Sequence, residues 1–146
     1  EVLKIVNLGL ASGKLSASDV FVTDAKTTST GRIAADKASL PGLERDARAA
    51  NASAATAMAA GDAFLSYDDA AKAEALYQIA LTKPGADTAR MLTRLGIAQA
   101  DLGKYAEAQA TFAKVDGIRA PIAQLWSAYA KGKARAAAAP APVTAP

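Results

Sequence analysis

Arg90 and Arg94, one helical turn apart, are the residues of this chain best suited to recognising a ligand. A guanidinium stays charged and offers a planar fork of donors that matches a carboxylate. Ile97 and Asp101 extend the spacing to i, i+4, i+7 and i+11, so all four share one helix face. Leu92, Leu95 and Leu102 lie away from it, on the face that should pack. Other candidates have plainer readings. Asp68-Asp69 precedes a helix, where acids favour the N-terminal dipole over metal binding. Lys131, Lys133 and Arg135 can touch phosphates or anionic lipid, but suit a solvated helix end. Trp126 and Tyr129 fit core packing on the helix that carries Phe112 better than ligand stacking.

An enzyme would need parts this chain lacks. It has no histidine and no cysteine, which excludes histidine-based catalysis, a Cys/His zinc site and a disulfide scaffold. No G-x-S-x-G elbow, H-E-x-x-H, phosphate-binding loop or dinucleotide fingerprint is present. No cofactor is expected. The 17 basic and 14 acidic residues are interspersed and net only +3, too weak and too mixed for nucleic acid. No apolar run reaches the ~18 residues of a membrane span.

The elements that position the arginines follow from composition and repetition. The chain is 51% hydrophobic but only 5% aromatic, with alanine supplying roughly half of the hydrophobic share. That favours helix over sheet. GDAFLSYDDAAKAEALYQIAL from Gly61 aligns with GIAQADLGKYAEAQATFAKVD from Gly96, pairing the two glycines and setting Tyr77 on Phe112. Each copy predicts two helices around a turn. The first has helices near Ser53 to Ser66 and Asp69 to Leu81. The second has Thr88 to Leu102, capped by Asp87 and broken by Gly103, and then Tyr105 to Val115. A closing helix runs from Pro121 to about Lys131.

These copies resemble the tetratricopeptide repeat, whose pattern is W-x2-L-G-x2-Y, then A-x3-F, then P. The second copy gives Leu92-x2-Leu95-Gly96-x2-Gln99, Ala108-x3-Phe112 and Pro121. The first gives Ala57-x2-Ala60-Gly61-x2-Phe64, Ala73-x3-Tyr77 and Pro84. Trp126-x2-Tyr129-Ala130 restarts the pattern, with Trp126 placed 34 residues beyond Leu92. The departures are Gln99 where an aromatic belongs, alanine at 57 and 60, and a 35-residue spacing. The resemblance implies an all-α, right-handed superhelical stack of helical hairpins: two repeats plus a closing helix over residues 53–133. It also implies a concave surface lined by the first helix of each repeat. Met58, Asp62 and Leu65 would line it beside Arg90, Arg94, Ile97 and Asp101, with Gln124, Ser127 and Lys131 from the closing helix. Some members of the family hold a partner's terminal carboxylate with a similar basic pair. Here the assisting asparagine is not evident, and Asp62 would repel an anion.

Residues 1–50 match the repeat poorly and suit a divergent helical cap or worn repeat. Val2 to Ser12 and Ala17 to Thr28 form a candidate hairpin, with Val20 to Thr23 as an alternative short strand. Thr27 to Gly31 suggests a loop or a fraying helix end, and Leu40-Pro41-Gly42 divides short helices at 32–39 and 41–50. The apolar start after Glu1 suggests a helix entered partway, as in a piece of a longer chain. Residues 134–146 suggest an Ala/Pro-rich tail. The expected function is a non-catalytic interaction module holding an extended peptide or partner tail in a concave groove. The alternative is a scaffolding subunit of a larger assembly, self-assembly included. The overall look of the chain leans to a bacterial extracytoplasmic setting, periplasmic or secreted.

Overall fold

The computed structural model describes residues 2–138, and every regular element among them is helical. Two compact units meet at Pro41 and Gly42. The first, ending at Pro41, holds α1 (Val2–Ala11), a turn at Gly13 (φ 68°) and most of α2 (Val20–Arg48), whose last residues from Gly42 belong to the second. Asp19 caps α2 by accepting the Phe21 N–H at 2.8 Å.

α2 corrects three expectations at once. Neither the alternative strand at Val20 to Thr23, the loop at Thr27 to Gly31, nor the break at Leu40-Pro41-Gly42 exists; one helix runs through all of them with Pro41 inside it. Helix extension is cooperative, so the intact turns on each side carry the chain past one missing donor. A hydroxyl that argued for a loop turns inward instead. Thr30 donates to the Lys26 carbonyl at 2.7 Å.

The second unit holds the repeat: α3 (Ala54–Ser66), α4 (Ala70–Leu81), α5 (Thr88–Asp101), α6 (Tyr105–Phe112) and α7 (Ala120–Ala138), each packed against the next. Ser53, Asp69 and Asp87 cap α3, α4 and α5 by accepting backbone N–H groups at 3.0, 3.2 and 3.0 Å. Asp69 therefore has the capping role its position suggested. The residue before the N-cap of each second helix is left-handed, Asp68 at φ 64° and Gly103 at φ 75°, 35 residues apart. The chain thus makes the same turn twice, once with the glycine that αL prefers and once with aspartate.

Paired glycines and aromatics are the core of both hairpins. A Cβ on Gly61 would lie 2.7 Å from the Tyr77 ring, and one on Gly96 would lie 2.5 Å from the Phe112 ring. Nothing larger than hydrogen fits, so each ring lies directly on backbone. Ala73 and Ala108, one turn earlier, are fully buried. The second hairpin differs at Gln99, which stands where the first has buried Phe64. Thr111 donates to Gln99 Oε1 at 2.7 Å, and the Gln99 amide faces buried Glu74 at 3.4 Å. Lys104 closes the chain of contacts on Glu74 at 2.7 Å. The polar residue in an aromatic's place is therefore satisfied.

α7 reaches Ala138, beyond Lys131 and through the first residues of the expected tail. Alanine is the best helix former, and no proline intervenes before Pro140. The Ala/Pro segment 139–146 lies outside the described residues. Trp126 stacks on Phe112 with ring centres 6.5 Å apart, as expected of a core residue. Tyr129 does not share that role. It meets Trp126 edge-on at 5.5 Å and remains 47% exposed, because it lies on the outer side of α7.

Candidate functional site

α3 and α5 bring Asp62, Arg90 and Arg94 together. Arg94 Nε lies 3.4 Å from Asp62 Oδ1, and Arg90 Nη2 lies 3.6 Å from Oδ2. Tyr77, arriving from α4 under the glycine contact, donates its hydroxyl to Asp62 Oδ1 at 2.6 Å. Burial, then the hydrogen bond to Asp62, pushes the Tyr77 phenol well above its ordinary range, so it remains a neutral donor. The aspartate expected to repel an anion thus occupies the anion's place, bridging the two guanidiniums. Two positive charges against one negative leave a net positive centre. The arginine side chains keep 40% and 44% of their surface exposed, so unengaged donors still face solvent.

The other expected residues divide. Met58, Leu65 and Ile97 are half-buried, and Ile97 packs against the α5–α7 core. Asp101 is exposed at the end of α5; desolvation of its carboxyl, and secondly the charge of Asp68, push its pKa above the ordinary value. Gln124 and Lys131 are exposed and Ser127 is half-buried.

Burial on α7 is met by two registers, since buried Ala130 stands 34 residues beyond buried Gly96 and 35 residues beyond buried Leu95. Ala60, Leu95 and Ala130 are 2%, 6% and 0% exposed at a constant spacing of 35 residues. In the 35-residue register Leu125 and Tyr129 continue the Arg90–Arg94 stripe, and in the 34-residue register Gln124 and Lys131 belong to it. Leu125 and Tyr129 are 69% and 47% exposed, and α7 lies against α5. Sequence reasoning missed Leu125 because its one distinctive aligned pair, Trp126 with Leu92, was matched by type. It missed Tyr77 as a site residue because its ring accounted for it fully as core. The constant 35-residue spacing of the Gly61–Gly96 pair was the signal available.

No protein-family model, no curated protein and no solved structure matches the chain. Its helices pack consecutively from α3 to α7, an arrangement consistent in general with a helical-repeat solenoid. Among the described residues, no helix is long and apolar enough to cross a membrane.

Proposed function

We propose that this chain is a non-catalytic interaction module of the tetratricopeptide kind, holding an extended peptide segment along the exposed faces of α3, α5 and α7. The observation that carries this reading is the pair of half-exposed guanidiniums pinned on one aspartate. Arg90 and Arg94 are held in place, yet keep donors free for a second acceptor. A ligand carboxylate would share this centre with Asp62 or displace it, giving up the Asp62 ion pairs for its own.

The test is a titration of a fluorescent peptide with a free C-terminal carboxylate, against the same peptide amidated. The free acid is expected to bind more tightly. Arg90→Ala/Arg94→Ala should weaken it by about tenfold or more, and Asp62→Asn, which keeps an acceptor for Tyr77, should tighten it. Equal binding by all three proteins would refute the carboxylate site. The scaffolding alternative draws support from the large apolar side chains left exposed on α7.

A further inference from the structure

The outward face of α7 carries a continuous apolar stripe. Ile122, Leu125 and Tyr129 follow i, i+3 and i+7 spacing and are 46%, 69% and 47% exposed. The adjacent face of the same helix, about 100° round it, is spent on the core through Ala123, Trp126 and Ala130. One helix therefore has two apolar faces, of which the fold uses one. Scattered exposed apolar residues need no explanation, but three in register on one helix mark a docking face.

Charge says what kind of partner fits. From Gly117 to Ala138 the chain carries Arg119, Lys131, Lys133 and Arg135 and no acidic residue. Lys133 holds its ammonium 5.5 Å from the centre of the Tyr129 ring, at the edge of the stripe. On the neighbouring helix the positions in phase with Leu125 and Tyr129 are Arg90 and Arg94. A second copy docking by its own α7 would set like charges together. An acidic segment with large apolar side chains meets neither obstacle.

We propose that the partner is an acidic, apolar-anchored peptide segment. Its large side chains seat on Ile122, Leu125 and Tyr129, and its carboxylates reach Lys133 and the Arg90–Arg94 pair. This rests on the peptide-binding reading above and gives that peptide its chemistry. Leu125 and Tyr129 supply the apolar contact area and the basic groups select the sign of the ligand.

The experiment is selection of a random twelve-residue peptide library on the immobilised chain, with two variants in parallel. Leu125→Ser/Tyr129→Ser alters exposed positions, and its fold is checked by circular dichroism and thermal melting; Arg90→Ala/Arg94→Ala is the second. Peptides enriched on the native chain should be net acidic with at least two large apolar residues. A synthetic consensus peptide should lose about tenfold or more in affinity for the Ser/Ser variant. Enriched peptides that are basic or lack apolar residues would overturn the proposal, as would affinity indifferent to the Ser/Ser change. Peptides lost with the arginine pair but kept by Ser/Ser would overturn it while leaving the peptide-binding function standing. No enrichment on any bait would sink both. Sedimentation with vesicles of phosphatidylglycerol and phosphatidylcholine, abolished by Ser/Ser, would assign the stripe to a lipid surface instead. Self-association in the ultracentrifuge, abolished by the same variant, would assign it to a second copy.

Discussion

Asp62 shows how one side chain can set the character of a site. It accepts from Tyr77 in the interior and faces Arg90 and Arg94 at the surface, so the α3–α4 hairpin and the α3–α5 face are joined at one carboxylate. Exposed ion pairs of this kind contribute little stability, about 0.2–1 kcal/mol each, so their consequence is the placement of charge. The glycines beside them act through volume. Gly96→Ala puts a methyl into the Phe112 ring and Gly61→Ala puts one into the Tyr77 ring, and backbone can yield in neither case. Each change should cost about 1–3 kcal/mol, read as a lowered midpoint in urea unfolding. Gly85→Ala is the useful contrast. It meets no neighbour, and its cost should come from its φ of 72° alone.

At the scale of the element, the two hairpins solve one packing problem with different materials. Where the first buries Phe64, the second buries the amide of Gln99 and completes it with Thr111, Glu74 and Lys104. Thr111→Val removes the hydroxyl that satisfies Gln99 Oε1 and should cost about 1–3 kcal/mol, measurable by the same denaturation. The hydrogen bond to Glu74 holds the Lys104 pKa above its ordinary 10.5, against a smaller opposing cost of desolvation. A raised lysine stabilises the fold fully below its unfolded value and loses that contribution as pH rises through the folded one. Stability should therefore fall in alkaline solution above about pH 10.5, and Lys104→Met should flatten that limb of the profile. α2 poses the opposite question, since Pro41 interrupts its ladder with no compensating bond from its own nitrogen. Pro41→Ala should raise hydrogen-exchange protection of the amides around residues 37–45, where the present helix is weakest.

Across the second unit, stability is distributed along a line of neighbours, each helix packing chiefly on the next. The near end is fastened to that line by Glu44, which pairs with Lys72 of α4 at 3.0 Å and with Arg48 at 3.0 Å. The hydrogen bonds from Lys72 and then Arg48 hold its carboxyl below the ordinary 4.5. A lowered carboxylate contributes above its unfolded value and loses that contribution as pH falls through the folded one. Acid unfolding monitored below pH 4.5 should thus be steeper in the native chain than in Glu44→Gln, with the difference shrinking as salt is added.

Much of this molecule was legible in its sequence because the information was local. Alanine content announced helix, and Ser53, Asp69 and Asp87 marked where α3, α4 and α5 begin. Hydrogen bonds from these side chains to nearby amides need only the adjoining residues. The 35-residue return of Gly61 at Gly96 and of Tyr77 at Phe112 announced paired hairpins, because a small residue facing a large one is a local statement repeated twice. The same local signs misled at Thr27 to Gly31 and at Pro41, where cooperative helix extension outweighed single breakers. What the tertiary structure decided is what faces what. Only packing could show that Asp62 bridges Arg90 and Arg94, or that the Gln99 amide is satisfied by Thr111 on one side and Glu74 on the other. The phase of α7 was beyond the sequence for the same reason. Which of its two apolar faces turns inward depends on α5 and α6, and that choice left Leu125 and Tyr129 in solvent.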